Sequence, residues 1–309
     1  MNPLKKIAAK TFAFFVVSKI KRSYCRAPEI QARLLNTLVK KAKKTKFGLE
    51  HGFDSINSAE DFALNVPIRD YEGIKKYIEE IKEGKENILW PGKPKYLAKT
   101  SGTTSGAKQI PITKESMPNH ILSSRNALLF YIYETGETSF LDGKTMFLQG
   151  SPILQNINGI LSGRLSGIVA HHIPPYLRKN NLPSLKTNSI EDWEVKVNTI
   201  CEETINENMT TIGGIPSWVQ MYFERLLLKS KKKNIIELFK NLSLYVYGGV
   251  NFSPYKKSFK KLLGKNIDMV EYYPASEGFF AYQNSQKESG LLLQYDSGIF
   301  YEFVKTEEF

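Results

Sequence analysis

Apolar and polar positions change period along the 309-residue chain. Up to about residue 90 they recur at helical spacing. The stretch DYEGIKKYIEEIKEG (70–84) puts Ile74, Tyr77, Ile78 and Ile81 on one stripe, the recurrence of an amphipathic helix. Asp70 stands where an N-cap is needed and Gly84 where a helix stops. SAED at 58–61 reads as a capping box. From Lys95 onward, short apolar runs alternate with helical patterns. Runs at 95–99, 145–149, 167–172, 209–213, 243–247 and 268–272 predict strands, and 115–134, 190–206, 216–229 and 254–263 predict helices. In 190–206 the stripe is Trp193, Val197, Ile200, Cys201 and Ile205. Pro216 and the Ser253–Pro254 pair are helix-start signals. After residue 279 strand patterns dominate: FFAYQN, LLLQYD and GIFYEFV. This alternation predicts an α/β fold of mixed, largely parallel β-sheets flanked by helices, with a helical N-terminal segment and a strand-rich C-terminal end. Residues 1–90 form a helical lead-in to an α/β core at 91–309, and no internal repeat or linker separates them. Phe309 arrives directly after a strand pattern, so the chain is expected to be a fragment.

Composition narrows the class. With 41% hydrophobic residues the chain can build a large core. FAFFVV at 12–17 falls far short of the roughly 20 apolar residues that cross a bilayer. SKIKRSY follows it rather than a small-residue cleavage site, so a helix packed in or on the core is expected, with no membrane span. Cys25 and Cys201 lie on unrelated segments and form neither a disulfide framework nor a metal spacing. Both read as core cysteines of a cytoplasmic protein. Lys plus Arg number 43 against 31 Asp plus Glu, a net charge of +12. That balance admits an anionic partner: nucleic acid, a membrane surface or a nucleotide. The lysine runs at 40–46, 229–233 and 256–265 read as solvated faces, with Lys256, Lys257, Lys260 and Lys261 on one side of a helix. No aromatic residues interleave with them as on a base-stacking surface. Nucleic acid is therefore not expected as a partner.

One stretch carries chemistry: YLAKTSGTTSGAKQIP at 96–111. Glycines and hydroxyls between a strand and a helix make a turn whose N–H groups converge on phosphate oxygens, with Ser and Thr adding donors. Lys108 adds a positive charge. A P-loop is excluded. Only three residues separate Gly102 from Gly106, Ala107 precedes Lys108, and Gln109 stands where Ser or Thr would bind magnesium. Alone, the loop is equally a surface turn without a ligand. Two further elements accompany it. YVYGGVNFSP at 245–254 is a strand followed by Gly248 and Gly249, where backbone can approach a flat purine. EYYPASEGFF at 271–280 is the other.

SGTTSGAK is similar to the phosphate loop of adenylate-forming, luciferase-like enzymes, and Tyr273, Ser276 and Glu277 fit their Y-x-x-[ST]-E pattern. The stretch from NVPIRDYEG at 65 to QIPIT at 113 resembles the auxin-responsive Gretchen Hagen family of acyl acid–amido synthetases. GGIPSWV at 213–219 and GIFYEFV at 298–304 also look like that family. The resemblance runs from about residue 28 to Phe309. Thr100 replaces the family's first serine and keeps the hydroxyl. Family members continue with an R-x-G-D-type motif and a mobile C-terminal domain, and neither is found here. The resemblance thus implies an N-terminal adenylation domain over 1–309 with the C-terminal domain absent.

The activity so implied is ATP-dependent conversion of a carboxylic acid to an acyl-adenylate, then amide formation with an amino acid or other amine. ATP and Mg²⁺ are the implied cofactors. Thr100, Ser101, Gly102, Thr103, Thr104 and Ser105 would surround the phosphates, with Lys108 compensating charge. Glu277 would ligate Mg²⁺ and Ser276 would donate to the α-phosphate. Tyr273 would stack on adenine, with Gly248, Gly249 and Val250 lining its other side. The acyl pocket could use the helix around Leu122 to Tyr133, GRLSG at 163–167 or the Trp218 region. Arg125 and Arg164 read equally as partners of a substrate carboxylate and as surface arginines; His171 and His172 read as structural or exposed, with a place in the acyl pocket as the alternative. A ligase handing the acyl group to coenzyme A or another thiol, and an inactive nucleotide-binding fragment, are the alternatives. A monomer is expected.

Overall fold

The computed structural model describes residues 3–100 and 108–308. Five α-helices precede the first described strand: α1 (Pro3–Arg22), α2 (Ala27–Ala42), α3 (Lys46–Glu50), α4 (Ala59–Asn65) and α5 (Tyr71–Lys82). Their ends follow the side-chain chemistry. Ser58 and Asp61 close a capping box on α4. The Asp70 carboxylate accepts from Gly73 N–H at the start of α5, which buries Tyr77, Ile78 and Ile81. Gly84 then leaves the helix at φ +91.

Next come β1 (Tyr96–Lys99), β2 (Gln109–Ile112), α6 (Met117–Thr135), β3 (Lys144–Leu148), β4 (Gln155–Ile157), β5 (Ile160–Arg164), α7 (Leu165–Ala170), α8 (Pro175–Arg178), β6 (Asn181–Leu182) and α9 (Leu185–Asn188). The rest is α10 (Trp193–Thr204), β7 (Met209–Gly214), α11 (Pro216–Ser230), α12 (Ile235–Leu238), β8 (Leu244–Gly248), α13 (Lys256–Leu263), β9 (Asp268–Pro274), β10 (Phe279–Tyr282) and β11 (Leu292–Leu293).

The strands form two sheets, ordered β2-β1-β5-β4 and β11-β10-β9-β8-β7-β3-β6. In the larger, β6, β3, β7, β8 and β9 run parallel. β10 and β11 extend it antiparallel. The two-residue period of a strand divides β8 between the sheet's faces. Tyr245 and Tyr247 join Phe223 and Phe259 under α11 and α13. Leu244 and Val246 join Phe130 of α6, with Ala13 and Val17 of α1 behind. α1 is thus the outermost layer on its side.

Four expectations need correction. The glycine–hydroxyl segment joins two antiparallel strands, not a strand and a helix: β1 pairs with β2, Lys99 opposite Gln109. The run 167–172 lies in and just past α7 rather than in a strand, because so short an apolar run, GIVA before two histidines, carries no period to separate the two. A Cβ at Gly167 would lie 2.2 Å from Ser151 O, so the helix sits directly on backbone. GIFYEFV adds no strand. The Gln31 side chain takes a ladder partner's place, donating to Tyr295 and Ile299 carbonyls and accepting from Tyr301 N–H. Cys25 is exposed, on a short turn after α1, while Cys201 is buried as predicted.

Candidate nucleotide site

Parallel strands deliver their carboxyl ends to one edge of a sheet, where ligands bind in α/β folds. β1 and β5 are parallel, with Lys99 opposite Arg164. Just past the end of β3, Gly150 donates its N–H to Ser166 Oγ (3.1 Å). A Cβ on Gly150 would meet Arg164 Cδ at 2.8 Å. The carboxyl ends of the two sheets therefore touch. The same edge carries the ends of β7, β8 and β9.

The hairpin presents the first candidates. Thr100 N–H donates to Lys108 C=O (2.9 Å), closing the segment's neck. Lys108 Nζ sits 5.2 Å from the centroid of the Tyr71 ring, and Gln109 N–H donates to Tyr71 Oη (3.1 Å). Tyr71 opens α5, so the Asp70 cap indirectly fixes where the lysine stands. Ser101, Gly102, Thr103, Thr104 and Ser105 lie outside the described residues.

The larger sheet presents the others. β8 and β9 pair Gly248 with Tyr272, so Gly249–Val250 and Tyr273 leave neighbouring strands side by side. Gly248 is spoken for: a Cβ would lie 2.3 Å from Tyr272 O, so its missing side chain makes room for the next strand rather than for a purine. Among the described residues Gly249, at φ +82, has only Ile215 Cγ1 at 4.0 Å and is open to approach. Tyr273 is 55% exposed, its ring 5.5 Å from Phe280, which leaves area for a stacking partner. Ser276 and Glu277 are the central pair of the turn from β9 to β10, closed by reciprocal bonds between Ala275 and Gly278. Ser276 is half-buried and Glu277 exposed.

Among the described residues no three His, Cys, Asp or Glu gather as a protein-built metal cage. One open carboxylate is nonetheless a fitting donor for Mg²⁺, which keeps waters and takes most ligands from nucleotide phosphates.

Sequence reading passed over three residues. Tyr71 supports Lys108. Tyr247 Oη donates to Glu271 Oε2 (2.9 Å), bracing the ends of β8 and β9; burial first, then that carboxylate, push the phenol pKa up. Lys196 is 3% exposed, and its ammonium donates to Asn188 O (2.6 Å) and Gln149 O (3.3 Å), beneath the end of β3. Burial pushes it down to about 8. The helical period alone could have found it, since 196 stands three after Trp193 and four before Ile200.

The acyl-pocket candidates sit on several elements. Arg125 stacks on Phe12 (5.6 Å) and bonds Asn126. Trp218 packs on Trp193 (4.8 Å). His171, exposed, bonds Pro152 O, and half-buried His172 bonds Tyr96 Oη. Cavities of about 240 and 430 Å³ flank Lys95 and Tyr96, at the opposite end of β1 from Thr100. Leu122 lines the first and Leu161 the second.

Comparison with known proteins places the fold. A curated relative, indole-3-acetic acid-amido synthetase GH3.15 of Arabidopsis thaliana, is 32% identical over 111 residues, 35% of this chain and 18% of the relative. The solved structure of GH3.15 acyl acid amido synthetase superposes with a TM-score of 0.69 at 15% identity, over 90% of this chain and 59% of that one. Its complex with 2,4-DB gives 0.72 at 15% identity, over 92% and 58%. 2-Hydroxyisobutyryl-CoA ligase with 2-HIB-AMP and CoA gives 0.55 at 11% identity, over 90% and 60%. At such identities these structures establish the shared fold. The chain spans about three-fifths of the solved relatives' length. The model of the GH3 family N-terminal domain matches residues 16–190, more than half of the chain, and the chain belongs to the GH3 family.

Proposed function

We propose that this chain is the N-terminal adenylation domain of an acyl acid–amido synthetase, residues 1–90 being its helical lead-in. The carboxylate of an acid attacks the α-phosphate of ATP, giving an acyl-adenylate and pyrophosphate. An amine, typically of an amino acid, then attacks the acyl carbon and AMP leaves. The carrying observation is the shared edge: the neck of the glycine–hydroxyl hairpin, the end of β8 and the Ser276–Glu277 turn all open on it.

Charge concentrates on the phosphates in the first step, so the chain's part is positioning and charge stabilisation. In this reading the hydroxyls and N–H groups of Thr100 to Ser105 hold the phosphate oxygens and Lys108 neutralises them. Ser276 orients the α-phosphate. Adenine lies between Tyr273 and the Gly249–Val250 backbone. Glu277 is the protein ligand to Mg²⁺, which when bound withdraws electron density from the phosphates. The setting is a monomer in the cytoplasm.

The test is carboxylate-dependent exchange of labelled pyrophosphate into ATP, in a protein that also carries a C-terminal domain. Lys108→Ala and Glu277→Ala should each lower exchange about 100-fold, the usual effect of losing one stabilising contact to developing charge. Exchange unchanged in both variants refutes the site. The likeness to a CoA ligase fold favours a second reading, transfer to a thiol. Supplying an amino acid or coenzyme A and identifying the product, amide or thioester, separates the two.

A further inference from the structure

We propose that α1 is an interfacial helix that seats the protein on an anionic lipid surface. α1 lies outside α6, with Ala13 and Val17 fully buried against the core. Apolar residues also stand outside that contact: Ile7 is 63% exposed, Phe14 53% and Phe15 66%. At about 100° per residue Phe15 falls opposite Ala13 and Val17, while Ile7 and Phe14 share one flank, so the three span an arc from that flank to the outer face. Single exposed apolar residues are ordinary, whereas aromatic residues grouped on an outermost helix mark an interaction face. Phe14 stacks on the half-exposed Tyr133 of α6 (6.2 Å), widening the patch.

Charge selects the occupant. The helix PLKKIAAKTFAFFVVSKIKR has no acidic residue. Its Lys5, Lys10, Lys19, Lys21 and Arg22 are exposed, while Lys6 is paired with Asp142 (2.9 Å). Exposed aromatics between basic flanks form the pattern of helices that lie in the headgroup layer, where apolar insertion and attraction to anionic lipid act together. No helix among the described residues is long and apolar enough to cross a membrane. With its inner face held on α6, α1 can lie along a bilayer surface without leaving the fold.

The experiment is sedimentation of the 309-residue chain with vesicles of phosphatidylcholine, with and without about one-quarter phosphatidylserine. Binding to the anionic vesicles should be at least about tenfold stronger and should fall as salt rises. Ile7→Glu with Phe15→Glu alters only exposed positions. It should abolish binding while leaving the melting temperature within a few degrees. Lys5→Gln, Lys10→Gln and Lys19→Gln together should remove the preference for anionic vesicles while leaving the apolar face intact. Equal weak binding to both vesicle types, or binding indifferent to the double glutamate variant, overturns the proposal. So does self-association that the same variant dissolves in a chain that ignores lipid, since the patch would then be covered by a second copy.

Discussion

The Gly248–Glu277 half of the candidate site hangs from the larger sheet, and Lys108 hangs from a four-residue hairpin strand of the smaller one. In the larger sheet each candidate is placed by main-chain register: Gly248 opposite Tyr272, Glu271 opposite Tyr247, then a tight turn at Ser276–Glu277. In the smaller sheet the backbone bond to Lys108 among the described residues is the neck bond from Thr100, and Lys108 rests on the Tyr71 ring borrowed from α5. One half is rigid because strands are neighbours. The other depends on a side chain in a different element. The difference predicts where the protein tolerates change.

Gly248→Ala should be the most damaging change. Its Cβ would press on Tyr272 O at 2.3 Å, a backbone atom fixed by the β8–β9 ladder. Neither strand can yield without breaking main-chain bonds, so the cost should reach about 3 kcal/mol, the upper range for overpacking. Denaturant unfolding measures it. A loss under about 1 kcal/mol would mean that the edge is softer than its register implies.

The same contrast governs what could be read without coordinates. Buried parallel strands are continuous apolar runs, so 145–149, 209–213, 243–247 and 268–272 were legible as β3, β7, β8 and β9. β2, β4 and β5 were not, because QIPI, QNI and ILSGR are too short and too mixed to show a period. Missing β2 turned a hairpin loop into an imagined strand-to-helix turn. The longer helices were legible through caps and stripes, α5 most fully, whereas α7 read as a strand. Among the candidate site residues, the motif pointed to Lys108, Tyr273, Ser276 and Glu277 but not to the burden on Gly248, which only the neighbouring strand reveals. Tyr71 was invisible as a support because its partner lies 37 positions away. Gln31 likewise replaces a ladder at |i−j| of 264 to 270.

A second probe moves to the floor of the edge, where Lys196 ties α10 to Gln149 past the end of β3. Its pKa falls from an ordinary 10.5 to about 8 by burial. Below pH 8 both the folded and unfolded chains hold the proton, and the cost of burying the charge is fully present. As pH rises from about 8 to 10.5 the unfolded chain holds more protons than the folded one, so this group's contribution to stability must rise. Between pH 7 and 9.5 the gain should be about 2 kcal/mol. Lys196→Met should flatten that rise relative to the unaltered chain, as measured by denaturant unfolding at both pH values. Parallel curves would place the ammonium in contact with water.

On the hairpin side, Tyr71→Ala removes both the ring beneath Lys108 and the acceptor for Gln109 N–H. A cation–π contact and one hydrogen bond are together worth about 1 to 2 kcal/mol. Pyrophosphate exchange should therefore fall about tenfold, less than in Lys108→Ala because the charge remains but is no longer placed. Tyr71→Phe keeps the ring and should recover most of the loss. If Tyr71→Ala exchanged at the full rate, Lys108 would be placed by something other than α5.

The smallest effect is expected one residue past the largest. Gly249 has the left-handed backbone that Gly248 lacks, at φ +82, and the open space that Gly248 lacks, with no described residue nearer than 4.0 Å to an added Cβ. Gly249→Ala should thus cost only the backbone strain, about 1 kcal/mol. Its Cβ would stand where the purine is proposed to approach. The KM for ATP should then rise severalfold with kcat nearly unchanged, the signature of lost uniform binding. A stability loss equal to that of Gly248→Ala would erase the distinction between a glycine that serves the sheet and one that serves a ligand. An unchanged KM would move adenine away from the end of β8, leaving Tyr273 as its only support on this edge.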